Sequence, residues 1–107
     1  DRIWQALLEK LEHENGIKGK EVMVTAGANQ AFCNVAQALL DEGDRVVVFA
    51  PFYFSHEVAL QLVGAEILVC QTDQYGQPDV NELCNIMNLC TEEGNDVKMV
   101  VMCTVEP

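Results

Sequence analysis

The stretch Arg45–Ala50 (RVVVFA) is apolar at every position after the arginine, with no polar residue alternating along it. A strand with one wet face would alternate. A run this continuous fits a strand covered on both faces, as in a parallel sheet between helix layers. Turn signals bound it: Asp41-Glu42-Gly43-Asp44 before and Pro51 after.

The flanking segments carry helical spacing. Residues 1–14 place Ile3, Trp4, Leu7, Leu8 and Leu11 on one stripe, closed by Asn15-Gly16, with Trp4 as a packing anchor. Residues 29–40 place Phe32, Val35, Ala36, Leu39 and Leu40 on a buried side. Ser55 is a cap candidate for a helix over 56–63, with Glu57 in its first turn. Asp79 is a cap candidate for another, with Val80, Leu83, Ile86, Met87, Leu89 and Cys90 on its apolar side. Shorter runs at 21–26 (EVMVTA), 66–70 (EILVC) and 98–103 (KMVVMC) read as further strands. The predicted order is α-β-α-β-α-β-α-β. That alternation implies right-handed crossovers and an α/β fold with a mainly parallel sheet between helix layers.

Composition narrows the partners. Six basic residues stand against seventeen acidic ones, a formal charge of −11. Such a chain repels nucleic acid and anionic lipid at long range, so neither is an expected partner. The acids are spread over helix faces and turns, as on a solubilising surface. The five cysteines, at 33, 70, 84, 90 and 103, are odd in number and form no C-x-x-C pair. We expect a reducing, cytoplasmic setting, with an organelle left open, and neither a disulfide framework nor a metal site. Asp1 is not a methionine and Pro107 follows an apolar run directly. We therefore expect a partial segment, cut at both ends.

Two places carry chemistry. Thr25-Ala26-Gly27-Ala28-Asn29 lies where a strand gives way to a helix. In open α/β sheets ligands bind outside the carboxyl ends of the strands. Gly27 permits a sharp turn, and Ala28 and Asn29 would present unpaired amides at a helix N-terminus, a site for an anion such as phosphate. The glycines of a dinucleotide fingerprint and the lysine of a P-loop are missing. An ordinary turn capped by Asn29 or Thr25 is the competing reading. The second place is Phe52-Tyr53-Phe54 after Pro51, at the equivalent edge, where one ring is placed to stack on a flat ligand. Phosphate corner and aromatic platform together suggest a ligand with both a phosphate and a ring.

These segments, "VTAGANQAF", "GDRVVVFAPFYFSH" and "GAEILV", resemble the first part of the large domain of class I/II aminotransferases, fold-type-I enzymes dependent on pyridoxal phosphate. The resemblance covers nearly the whole chain. It implies that residues 1–107 form part of a cofactor-binding large domain in a homodimeric enzyme acting on an amino acid and a 2-oxo acid. It implies phosphate binding at Ala28 and Asn29, with Gly27 shaping the turn and Tyr53 stacking on the pyridine ring, while Phe52 and Phe54 pack. The family's Asn-Pro-Thr/Ser-Gly motif, pyridinium carboxylate, Schiff-base lysine and substrate-binding arginine have no counterpart here. Lys10, Lys18, Lys20 and Lys98 are misplaced for the lysine's role, so no catalytic residue is expected and the segment alone should be inactive. Two other readings stay open: a pyridoxal-phosphate-dependent lyase on the same scaffold, or a small acidic non-catalytic binding module.

Overall fold

The computed structural model describes residues 2–19, 21–52 and 54–103. In chain order they form α1 (Arg2–Asn15), α2 (Ala28–Leu39), β1 (Arg45–Ala50), α3 (Phe54–Leu62), β2 (Glu66–Gln71), α4 (Val80–Glu92) and β3 (Val97–Val101). The sheet order is β2-β1-β3, and both pairings are parallel. The expected α/β class with a parallel sheet is what forms.

β1 lies at the centre with covered faces, as its sequence requires. Val46 and Val48 pack with Ala36, Leu40 and Leu60, so α2 and α3 cover one face. Val47 and Phe49 pack with Cys70, and Leu83 and Ile86 of α4 close the other face. The period-two pleat thus sends alternate side chains of one strand into two separate cores. The result is three layers.

Two expectations fail. Residues 21–26 form no strand, and Met23 and Val24 stay 65% and 53% exposed. β1 takes its two neighbours from β2 and β3, and no described strand pairs with this segment. Without a partner an extended run gains no ladder hydrogen bonds. Three strands therefore form among the described residues, not four. Nor is Trp4 a buried anchor: it is 39% exposed, and α1 contributes no buried residue among the described ones.

Asp79 does cap α4. Its side-chain oxygen accepts from the Glu82 amide at 3.1 Å. Glu82 in turn accepts from the Gln71 amide at 3.0 Å, which ties the helix start to the end of β2. Asp79→Ala is expected to lower stability by about 1 kcal/mol, read as a shift in urea midpoint. An unchanged midpoint would show that the cap is redundant.

The N-terminal end of the sheet is held by charge. Arg45 donates to Glu93 at 2.6 Å and to Glu66 at 3.1 Å, with its side chain 14% exposed. Those carboxylates, Glu93 first, hold the guanidinium's pKa above its ordinary value. This clamp lies at the opposite end of the strands from the region described next.

Candidate functional site

Gly27 is the residue before α2, with φ 91° and ψ 164°. That conformation is close to glycine-only. A Cβ built there would meet nothing within 4 Å, so the space over the turn is open. Having no side chain, Gly27 offers no cap to the helix behind it.

The helix start is therefore only half satisfied. The Gly27 carbonyl accepts from the Ala31 amide at 3.4 Å, the first backbone bond of α2. The Ala28, Asn29 and Gln30 amides precede that bond, and among the described residues no partner is recorded for them. The Gln30 side chain reaches back to accept from the Ala26 amide, and the Thr25 hydroxyl donates to the Gly27 carbonyl at 2.8 Å. Thr25 and Asn29 do not cap the helix, so the plain capped-turn reading does not hold here. Turn-fixing contacts thus come from Thr25 and Gln30, while the amides at 28 and 29 stay available to an anion.

Sequence reasoning missed Gln30. It stands three residues after Gly27, but with glycine at the cap the full capping-box pattern is absent, and the side chain reaches the Ala26 amide one residue before the cap.

The turn stands beside the carboxyl end of β1 although no strand leads into it. α3 starts just beyond Ala50, and its Ser55 lies 3.5 Å from the Asn29 side-chain nitrogen, a weak contact. One turn further along α2, Phe32 stacks on His56, ring centroids 4.2 Å apart and planes 26° apart. Ser55 is thus inside α3, not its cap, and its hydroxyl faces α2. His56 was not singled out from sequence. Burial alone pushes its pKa below the ordinary 6.5.

Of the aromatic triplet, Phe52 packs against the core on the α2–α3 face, as expected. Phe54 does not pack; it is 71% exposed at the start of α3. Tyr53, the expected stacking ring, lies outside the described residues. A small cavity of about 90 Å³ opens past the strand ends, between Phe49, Phe52, His56, Thr72, Val101 and Cys103. The Gly27–Asn29 turn is not part of its wall, whereas Phe52 and His56 are.

Three of the four lysines lie among the described residues. Lys10 pairs with Glu14 at 3.3 Å on α1, and Lys98 is the second residue of β3, at the arginine-clamp end of the sheet. Lys18 follows α1, and Lys20 lies outside the described residues. No described helix is long and apolar enough to cross a membrane.

The geometry has counterparts. A family model described as aminotransferase class I and II matches residues 3–106. The aromatic aminotransferase ISS1 of Arabidopsis thaliana is 51% identical over 65 residues, 61% of this chain and 16% of that protein. The aspartate/prephenate aminotransferase of Thermus thermophilus is 37% identical over 70 residues, 64% of this chain and 18% of that protein. Among solved structures, a kynurenine aminotransferase from Pyrococcus horikoshii, crystallised with PMP, superposes with TM-score 0.81 at 27% identity. That match covers 92% of this chain and 24% of the other. The chain thus spans less than a fifth of these curated relatives and about a quarter of the solved one.

Proposed function

The chain belongs to the class I and II aminotransferase family, and from that premise we propose that it supplies the phosphate-holding corner of a pyridoxal-phosphate-dependent aminotransferase. Members of the family use pyridoxal phosphate. When bound, the cofactor offers an electron-withdrawing ring that eases loss of a proton from an amino acid's α-carbon. Everything else asked of this chain is binding and orientation. The Ala28 and Asn29 amides donate to the phosphate, with the positive end of α2 behind them. Gly27 keeps the turn open, and Tyr53 covers the ring. The observation that carries this reading is the unfilled N-terminus of α2, with amides unclaimed and space above Gly27 open.

In this reading residues 1–107 are part of a large domain, and no residue of the segment moves the substrate proton. The described lysines lie on α1, in the loop after it, or at the wrong end of β3, so the segment alone is inactive. Amino acid and 2-oxo acid are the substrates of the enzyme as a whole, which works as a homodimer. The relatives above are named aminotransferases, which favours transfer over the lyase alternative.

Two variants of a polypeptide of the relatives' length that carries this segment test the site. One, at Gly27, is argued in the Discussion. The other is Tyr53→Ala, which removes a stacking contact worth about 1 kcal/mol and is expected to weaken cofactor affinity roughly fivefold. Absorbance of the bound cofactor after dialysis reads it. Retention identical to the parent in both variants would overturn the site map.

A further inference from the structure

We infer that the groove between the outer edge of β2 and α4 docks an extended, basic peptide of a partner protein, which adds a strand to the sheet beside β2. This does not depend on the cofactor reading, since the Gly27–Asn29 turn is no part of the groove.

β2 stands at the end of the sheet order, and among the described residues no strand pairs with its outer side. A parallel strand aims the backbone groups of successive residues at opposite sides. The Glu66 amide donates inward, to the Asp44 carbonyl just before β1, at 2.8 Å. Leu68 and Cys70 share that direction, whereas Ile67, Val69 and Gln71 face out. At Gln71 the chain closes its own edge: Glu82 accepts from the amide at 3.0 Å, and the Asp79 amide donates to the carbonyl at 3.2 Å. Ile67 and Val69 have no such closure among the described residues. Their donors and acceptors are spaced to pair with an added strand.

A groove of about 490 Å³ follows these groups. Four consecutive β2 residues, 66–69, line it, although Ile67 packs with the α2–α3 core and Leu68 with the α4 core. Side chains on opposite faces share one groove only where it runs along the edge itself. The other wall is a single stripe of α4, formed by Glu82, Ile86, Leu89 and Glu93. A strand edge facing a helix is how an extended peptide joins a sheet: main-chain bonds hold it, and alternate side chains meet the helix.

Charge selects the occupant. Glu82 marks the Gln71 end of the groove, and Glu66 and Glu93 mark the other end with Arg45. Three carboxylates against one guanidinium leave an excess of two negative charges. A second copy of this chain would set that excess against itself, so pairing of two β2 edges is disfavoured. Between the acids lie Ile86 and Leu89, the latter 57% exposed. The stripe therefore fits a strand whose helix-facing side chains read basic, apolar, basic. Glu82 and Glu93 stand about 16 Å apart along the helix, close to the length of a five-residue strand at about 3.3 Å per residue.

The probe is a dye-labelled, end-capped peptide of sequence Lys-Thr-Leu-Thr-Lys, titrated by fluorescence anisotropy with a polypeptide of the relatives' length that carries this segment. Saturable binding is expected. A copy with glutamate in place of lysine, and a copy with N-methylated amides that can donate nothing to the edge, are each expected to bind at least about tenfold more weakly. Leu89→Lys in the protein is expected to weaken the lysine peptide at least about tenfold. Glu82→Gln keeps an oxygen for the Gln71 amide and should weaken it about twofold to fivefold. No binding of the lysine peptide would overturn the inference, whether the edge is unfit or already covered by another part of the polypeptide. Equal binding of the acidic or the N-methylated copy would overturn it too, as would unchanged affinity in both variants. If circular dichroism shows that Leu89→Lys does not fold, the peptide series and Glu82→Gln decide.

Discussion

Gly27→Ala is expected to weaken pyridoxal phosphate binding by roughly fivefold to a hundredfold in a polypeptide of the relatives' length, without unfolding it. The physical cause is conformational. At φ 91° and ψ 164° a side chain costs about 1–3 kcal/mol, whatever room surrounds it. Room is not limiting, because nothing lies within 4 Å of the Cβ position. The turn would therefore relax toward an ordinary backbone conformation and swing the next two amides away from a common point. Gly27→Val should be at least as harmful, since branching at Cβ stiffens the backbone further. Alanine and valine losses of similar size would identify backbone strain as the cause. A harmless alanine beside a harmful valine would mean that bulk matters and that the turn geometry is wrong. Far-ultraviolet circular dichroism checks that the fold persists.

Leu60→Ala is expected to cost about 2–5 kcal/mol of stability. Leu60 is fully buried and joins Ala36, Leu40, Val46 and Val48 in the cluster between α2, α3 and the sheet. This core is small, so the side chains around the vacated volume have few ways to repack. Against a typical net stability of about 5–15 kcal/mol, such a loss leaves many domains partly unfolded at physiological temperature. Leu62, two residues on in the same helix, is 77% exposed, and Leu62→Ala should change stability by no more than about 0.5 kcal/mol. Denaturant midpoints for the pair read the contrast. Equal shifts would mean that α3 does not dock on the face described.

How much of this was readable in the residues depended on whether the information was local. β1 could be placed at both ends because a valine-rich run between an acidic glycine turn and a proline has few other uses. Asp79 was found as a cap because the bond it makes spans only three residues. The expected strand at 21–26 failed for the opposite reason. Its sequence suits a strand, but a strand exists only through a neighbour, and β1's two edges are already taken by β2 and β3. At the candidate site the glycine turn was visible as a pattern. The Phe32–His56 stack was not, because it joins two helices whose approach is fixed by Leu60 and the valines beneath them. Trp4 misled because a stripe along a helix says what can be buried, not what arrives to bury it.

The sheet order has a kinetic side. Among the described strands the middle one comes first, and its outer partners arrive in turn, with Arg45 meeting Glu66 and later Val97. Within this segment the apolar β1 run is therefore made before either of its described partners, and its second edge waits until β2, α4 and the start of β3 have been made. Pairings this distant in sequence form slowly, because a long loop must close before any contact rewards it. Aggregation competes with folding in that interval.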